Sequence, residues 1–459
     1  MDNKTYLGII DAELNSGKIA YPKSGFGFSP SKKYPEYKYS EIVDTPNAVY
    51  DLIREGFHQL HFDYQNYGLE TWNPLSTLIN PNDTVLIKPN MVRHYHPIYE
   101  NNIESVVTHP SLVRVILDYV LLALGDTGKV IIADAPLQDC NFELMKERSG
   151  YNHLLEFYKS QGITIPCVDL RNHKSVVKHG LNIHQDVECL NKTQIVDLGK
   201  LSEFQNIRPE RYNKLRVTNY DPQVMGKHHS KEVNEYAIAS TILDADVIIN
   251  MPKPKTHRYA GLTLSLKNMV GINTNKDYLP HHTLHSKMEG GDAYQAKNIL
   301  KRGLEVVVDW RNQEVGIKNY TMARMLNYAE WVFSTFNNIF GKEKSLFGSW
   351  YGNDTIWRTI LDLNRIVRYA DKEGKIQDSP QRRVFNVADM IISGEKEGPL
   401  SPTPKKVGVI AMSNDAVSLD ETLAILMGVD IQYIPTIKNA SNFHQLPIGE
   451  GGRYHYFQQ

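Results

Sequence analysis

Three short apolar segments, each followed by loop-forming residues, constrain the fold of this chain more than any other feature. They are TVLIKPN at 84–90, VIIADAP at 130–136 and ADVIINMP at 245–252. Runs of this length are typical of strands that are buried on both faces of a sheet. Between the first two, residues 110–124 have helical periodicity, with a proline at the start. The succession predicts a βαβ unit, and therefore an α/β fold with a parallel or mixed sheet built from such units.

The length of 459 residues leaves room for one to three domains of roughly 150 residues each. We predict that one α/β core is formed by two separate parts of the chain. The four predicted segments are an N-terminal extension at 1–80, an α/β core at 81–309, a helical insertion at 310–375 and a C-terminal α/β part at 376–459 that completes the core. Within the core we also predict a helix at 236–243.

Composition excludes several classes of protein. The chain has 51 Lys and Arg against 52 Asp and Glu, so we expect no nucleic-acid partner. The three cysteines (Cys140, Cys167 and Cys189) form no CxxC pair, which argues against a disulfide framework or an iron–sulfur cluster. The apolar run at 112–124 is too short to cross a bilayer, which needs about 20 residues. We therefore expect a cytoplasmic protein with no membrane span.

The densest group of chemical side chains is NMPKPKTH at 250–257, followed by LTLSLKN at 262–268. Prolines on either side hold Lys253 and Lys255 in an extended segment, where residues two apart point to the same side. Two ammonium groups near His257 suit a phosphate or carboxylate. Lys267 can clamp the charge, or act as a nucleophile if burial lowers its pKa, and Asn268 adds a polar group. The alternative is a solvated basic loop.

The tripeptide Lys88-Pro89-Asn90 repeats this design at the end of another strand. Ligands bind at the carboxyl ends of strands in sheets of this class, so Lys88 and Asn90 are expected to join the anion site. Asp134, which ends the next strand, can bind a hydroxyl or a metal ion, or can simply cap a turn.

A metal site is a further hypothesis. Asp389, Glu395 and Asp420 carry oxygen ligands of the kind that Mg²⁺ or Mn²⁺ prefers. His281 and His285 are four residues apart, so on a helix they would share a face and could bind a metal together. Exposed loop histidines without a ligand are the alternative.

Several catalytic signatures are missing from the sequence. It contains no GxGxxG motif between a strand and a helix, no GxxxxGK[ST] motif and no GxSxG motif. The missing dinucleotide fingerprint argues against NAD or FAD as a cofactor, and it favours transfer or isomerisation over hydride chemistry.

The motifs KPN (88–90), DAP (134–136), NMPKPKTH (250–257) and LTLSLKNMVG (262–271), together with residues 394–428, resemble the DUF362 family. The resemblance implies an α/β fold and a shared site, but no reaction, since the role of that family is undefined. Some of its members carry ferredoxin-type cysteine clusters, which this chain lacks.

A fainter likeness concerns His257 to Gly271, which is similar to a stretch of nickel-pincer lactate racemases. In those enzymes a lysine at the offset of Lys267 carries a nucleotide-derived cofactor, and a later histidine binds nickel. Leu264 and Ser265 replace the paired glycines of that stretch, which argues against covalent attachment here. The likeness then implies a scaffold for an anionic or nucleotide-like ligand.

The leading hypothesis is an enzyme of transferase or isomerase type that acts on a small anionic metabolite, phosphorylated or nucleotide-linked. His257 would be its general acid/base and Lys267 its second catalytic group. The alternative is a non-catalytic ligand-binding or assembly protein whose helical insertion docks a protein partner through the aromatic segment 321–340.

Overall fold

A computed structural model describes residues 4–11, 18–178, 180–186, 192–340, 347–442, 444–449 and 456–457. The strands in these ranges are β1 (Thr5–Ile9), β2 (Thr84–Pro89), β3 (Lys129–Asp134), β4 (Cys167–Asp169), β5 (His173–Lys178), β6 (Leu181–Asp186), β7 (Thr193–Asp197), β8 (Leu215–Arg216), β9 (Glu235–Ala239), β10 (Val247–Met251), β11 (Lys255–His257), β12 (Gly261–Thr263), β13 (His282–Thr283), β14 (Arg383–Glu397), β15 (Ser401–Ser413) and β16 (Tyr456–Phe457).

The α-helices in the same ranges are α1 (Ala48–Gln59), α2 (Pro110–Leu124), α3 (Phe142–Ser149), α4 (Tyr151–Ser160), α5 (Pro209–Tyr212), α6 (Pro222–His228), α7 (Ser240–Leu243), α8 (Ser265–Asn268), α9 (Ile299–Gly316), α10 (Tyr320–Phe340), α11 (Ile356–Tyr369), α12 (Ala416–Leu426) and α13 (Pro435–Ala440).

The main sheet is mixed, which confirms the predicted α/β class. Its order is β16-β1-β15-β14-β10-β2-β3-β4, and β11 and β12 extend it beside β14. Strands β14, β10, β2, β3 and β4 run parallel to one another, whereas β15 is antiparallel to both β14 and β1. The predicted βαβ unit is β2-α2-β3. Its two strands and β10 bring Lys88, Asn90, Asp134 and the 250–257 motif to the same carboxyl-terminal end of the sheet.

The sheet is buried on both faces because successive side chains of its strands enter different cores. Val85 and Ile87 of β2 belong to one apolar cluster together with residues of α1, α2 and α4. Leu86, between them, belongs to a second cluster with residues of β9 and α11. This period of two explains why the parallel strands read as unbroken apolar runs in the sequence.

The prediction of a helix at 236–243 is wrong. Residues Glu235–Ala239 form β9, which is paired antiparallel with β7, and only the four residues of α7 that follow are helical. Tyr236 and Ile238 pack their side chains into the second cluster. Aromatic and β-branched residues fit such a pleated surface, and the strand pairing outweighs the local helical pattern.

The predicted insertion at 310–375 contains all of α10 and α11 and the end of α9, while its residues 341–346 lie outside the described ranges. Helices α9 and α10 pack against each other as a hairpin, and Gly303 leaves room for the ring of Phe333 at their contact. The proposed domain boundaries stay a prediction.

Candidate functional site

Lys88 lies at the carboxyl end of β2, where its ammonium group is fully buried. Its Nζ donates a hydrogen bond to Asp134 Oδ1 at the end of β3 (2.7 Å), and the backbone N–H of Met91 donates to the other carboxylate oxygen (2.7 Å). Gly271 packs so closely that a Cβ at this position would overlap Asp134 Oδ1. The charge of Lys88 is therefore offset inside the protein.

Lys253 makes the second buried ion pair. Its Nζ lies 2.6 Å from Asp389 Oδ2, and neither side chain is accessible to solvent. The hydroxyl of Tyr21, from the N-terminal extension, accepts from Lys253 Nζ (2.6 Å) and donates to Asp389 Oδ1 (2.7 Å). The ring of Tyr21 stacks on His109, whose backbone N–H also donates to Asp389 (2.8 Å). No sequence motif identifies Tyr21, because its hydrogen-bond partners Lys253 and Asp389 lie more than 200 residues further along the chain.

Replacing Tyr21 by phenylalanine is expected to lower the free energy of unfolding by about 1.5–3 kcal/mol, the usual contribution of hydrogen bonds to charged groups. The stacked ring would stay, so the loss would report the hydroxyl alone. Urea unfolding would measure it, with Tyr433→Phe as the control because that ring is exposed. Equal values for the two variants would contradict the assigned role of Tyr21.

A chain of asparagine amides crosses the strand ends between the two ion pairs. Lys255 Nζ donates to Asn90 Oδ1 (2.6 Å), and Asn90 donates to Asn268 Oδ1 (2.9 Å). Asn268 then donates to Asn250 (2.7 Å), which donates to Asn386 (2.9 Å). These bonds fix the orientation of each amide, so Asn90 and Asn268 have structural partners already. Asn386 was not predicted, since a lone asparagine between apolar residues carries no distinctive signal.

Three further ammonium groups have no carboxylate partner among the described residues. Lys255 is fully buried, and its contacts besides Asn90 include the carbonyl oxygen of Val106 (2.7 Å). Lys276, which the motifs did not predict, donates only to the carbonyl of Ala135 (3.3 Å) within the described chain. Lys267, on α8, has neither a hydrogen-bond acceptor nor an ion-pair partner there.

The pKa values of these lysines reflect their crowding. Burial, together with the nearby charges of Lys276 and Lys88, lowers the pKa of Lys267 to about 7. Burial also lowers the pKa of Lys276 to about 8, and that of Lys255 falls well below its usual range. An approaching anion would favour the charged form of each amine, so this group of lysines is ready to take up protons and negative charge.

His257 lies beside this group and is buried. Its Nδ1 accepts hydrogen bonds from the backbone N–H groups of Tyr259 and Ala260, both at 3.1 Å. Because Nδ1 is an acceptor, the neutral ring carries its proton on Nε2. Burial and the charge of Lys267 hold the pKa of His257 well below its usual range. The ring is therefore a neutral donor through Nε2 at physiological pH.

The three carboxylates predicted as metal ligands have separate partners. Asp389 is paired with Lys253, and Glu395 lies 3.4 Å from the Nζ of Lys405. Asp420 accepts from the backbone N–H groups of Ser265 (2.7 Å) and Leu266 (3.0 Å), and burial raises its pKa to about 7. Within the described ranges, no three His, Cys, Asp or Glu side chains are grouped to hold a metal ion.

His281 and His285 do not lie on a helix, so the condition under which they would share a face is not met. The strand β13 between them pairs with β8, and the pairing extends the backbone. His281 Nδ1 contacts the carbonyl of Leu279 (2.6 Å), whereas His285 Nδ1 contacts Glu305 (2.9 Å). The two rings therefore have different partners and do not share a helix face.

Two cavities lie near the sheet. One, of about 400 Å³, is lined by residues 101–104, 107–109 and 148–149, and so borders His109 near the Lys253–Asp389 pair. A larger one, of about 580 Å³, reaches the amino-terminal end of β3. That end of the sheet is opposite to the lysines, so we exclude the larger cavity from the candidate site.

Comparison with known proteins identifies a family for this chain but no reaction. Residues 85–195 and 206–424 match the domain of unknown function DUF362. The chain is 25% identical over 369 residues to "Thylakoid-associated protein sll1697" of Synechocystis sp., covering 80% of this chain and 70% of that protein. The likeness to nickel-pincer lactate racemases stays a hypothesis from the sequence alone.

A crystal structure of a Thermotoga maritima protein aligns with 86% of this chain at 12% identity and a TM-score of 0.29, and the chain spans 59% of its length. The family match covers most of the chain and includes the strand ends that carry the lysines and asparagines. This chain belongs to the DUF362 family.

Proposed function

We propose that this protein is an enzyme that binds a small anionic metabolite, phosphorylated or nucleotide-linked, at the carboxyl ends of β2, β3 and β10. One observation carries the proposal. Lys267 is close enough to Lys255 and Lys276 for their charges to interact, and none of the three has a carboxylate partner among the described residues. Two neighbouring lysines, Lys88 and Lys253, have charges that are already offset. A bound phosphate or carboxylate would supply the missing negative charge.

The chemistry that this site supports is transfer or isomerisation. The Nε2–H of His257 can donate to an anionic oxygen, and the amine of Lys267 has a pKa of about 7, close to the pH at which a proton-transfer group is most effective. These two residues are the proposed catalytic groups. Lys255 and Lys276 would hold the anion. Dependence on a divalent metal remains a prediction without a grouped ligand set in the described chain.

We also propose a cytoplasmic location. Cys140 and Cys167 are both free thiols, which suits a reducing compartment. Cys189 lies outside the described residues. No helix in the described ranges is long and apolar enough to cross a membrane.

A thermal-shift panel tests the anion site. Inorganic phosphate, pyrophosphate, sugar phosphates, nucleotides and dicarboxylates would be added at equal ionic strength, with chloride as the reference. At a concentration of 100 times its Kd, a ligand stabilises the folded state by about 2.7 kcal/mol, so at least one anion is expected to raise the Tm clearly. If none exceeds chloride at millimolar concentration, the proposed function is wrong. A protective anion then defines the compounds to test for turnover.

A further inference from the structure

Helix α10 exposes an unusual number of large apolar side chains. Those that are at least half exposed are Met325, Tyr328, Trp331, Phe336, Ile339 and Phe340. Their spacing of mostly three to five residues puts them on one side of the helix, opposite the buried Ala323 and Leu326. Pairs of rings stack along this side, with centroids 5.7 Å apart for Tyr328 and Trp331. We call these six side chains the α10 stripe.

Helix α9 continues the same design in the hairpin. Ile299, Val306, Trp310 and Ile317 are exposed, and they are separated by seven, four and seven residues. This spacing places all four along one line of the helix and its C-terminal cap. Both helices of the hairpin therefore present apolar side chains to solvent, and they pack against each other through other positions.

The charges of the hairpin indicate what kind of surface it fits. Each carboxylate has a partner: Glu305 contacts His285, Asp309 pairs with Arg216, Glu330 pairs with Arg311, and Glu314 accepts from Trp310. Lys318 and Arg324 are exposed and have no carboxylate partner in the described chain. Glu314 has only the neutral partners Trp310 and Asn319 in the described chain. Two cations without a carboxylate partner, Lys318 and Arg324, therefore remain against one such carboxylate, and Arg324 lies directly beside the α10 stripe.

The residue types of the α10 stripe favour a lipid surface as its partner over a helix of a second copy in a coiled coil. A helix that pairs with another copy favours leucine, isoleucine and valine at the seam. The α10 stripe instead contains tryptophan, tyrosine and phenylalanine, with cations next to them. Tryptophan and tyrosine prefer the membrane–water interface, and flanking lysine or arginine binds anionic headgroups. Because the opposite side of α10 packs on the protein, the helix suits a position in the plane of the interface.

We propose that the α9–α10 hairpin binds the surface of a lipid bilayer that contains anionic headgroups, with the α10 stripe inserted at the level of the headgroups. The contact is peripheral, and it would hold the protein at a membrane although no helix of the described ranges is long and apolar enough to cross one. This inference is independent of the proposed anion-binding function, since the two surfaces share no residue.

Vesicle flotation of the full chain tests the proposal. The protein is expected to float with vesicles of phosphatidylcholine and phosphatidylglycerol, and less with phosphatidylcholine alone or at high salt. The double variant Tyr328→Ser/Trp331→Ser removes two ring insertions, so we expect its partitioning to fall about tenfold or more. The matched control is Leu69→Ser/Tyr433→Ser, which replaces two exposed apolar residues outside the hairpin and should float like the wild type.

Three results would overturn the proposal. The first is a wild-type protein that does not float with anionic vesicles, and the second is equal flotation of the two double variants. The third is a wild-type dimer, seen by light scattering, that the hairpin variant converts to a monomer while vesicles leave both unbound. That result would assign the α10 stripe to a second copy of the chain. Circular dichroism of both variants checks that the helices are retained.

Discussion

Asp389→Ala is expected to lower the free energy of unfolding by about 3–5 kcal/mol, because it would leave the ammonium group of Lys253 buried without a counter-charge. Both side chains of this pair are inaccessible to solvent, and their charged atoms are 2.6 Å apart. Tyr21 and the backbone N–H of His109 also bond to the carboxylate, so the substitution removes acceptors from several donors at once. Urea unfolding followed by circular dichroism would measure the loss.

The chain offers a matched control for this pair. Arg258 and Glu397 are also 2.6 Å apart, but their side chains are 34% and 68% exposed. Glu397→Ala is expected to cost about 0–1 kcal/mol, since water replaces the lost partner and screens the remaining charge. If the two alanine variants lose similar stability, the pair does not contribute through burial, and the architecture described for this end of the sheet is incorrect.

Lys267→Met is expected to abolish the protection by any anion that stabilises the wild-type protein, while the variant folds at least as stably. The amine has no acceptor or carboxylate among the described residues, so its removal breaks no bond there. Isothermal titration with the protective anion from the panel would measure the binding. Lys88→Met is the control for stability, because it would leave Asp134 buried without its cation and should cost about 3–5 kcal/mol.

The pH dependence of stability gives an independent test of Lys267. Its pKa is about 7 in the folded protein, against 10.5 for the ordinary side chain, so between these values the unfolded chain binds more protons. Stability therefore rises with pH across this window. The methionine variant lacks this rise, so its advantage over the wild type should be largest below pH 7 and vanish near pH 10.5. A difference in Tm that does not change with pH would contradict the lowered pKa.

The affinity for an anion is expected to fall as the pH rises, whereas the stability of the free protein is expected to rise. Sulfate is a suitable probe because it keeps its charge through this range. Its binding favours the ammonium form of Lys267, so the affinity is expected to be greatest below pH 7 and to fall as the pH rises above it. An affinity for sulfate that is constant from pH 6 to 9, about three decades of proton activity that include the pKa, would show that Lys267 is not part of the anion site.

The elements of the sheet could be predicted where local sequence and burial agree. The limits of α2 coincide with the predicted 110–124, because a proline starts the helix and glycine follows its end. The strands β2 and β3 were recognisable because they are buried on both faces. Strand β9 was not recognisable, because the apolar pattern of Tyr236 to Leu243 fits both a helix and a strand. Only the pairing of β9 with β7 makes Glu235–Ala239 a strand.

The site was predictable as a set of residue types but not as a set of partners. The sequence places Lys88 and Lys253 at strand ends, yet the register of the sheet decides that Asp134 and Asp389 lie within 2.7 Å of them. Lys276 and Tyr21 reach the site from segments without a motif. The sequence does not distinguish Lys267 from the other lysines of its motif. Only the structure does, because Lys267 has no hydrogen-bond or ion-pair partner among the described residues.

The pairing of β1 with β15 has a consequence for the order in which this protein is made. Thr5 to Ile9 pair with Val409 to Ser413, about 400 residues later in the chain. At a synthesis rate of roughly 5–20 residues per second, β1 waits on the order of 20–80 s for its partner. Contacts between such distant segments form slowly, so β1 has to be kept from other sheet edges in the meantime. The Lys253–Asp389 pair likewise exists only once β14 has left the ribosome, because Asp389 is synthesised 136 residues after Lys253.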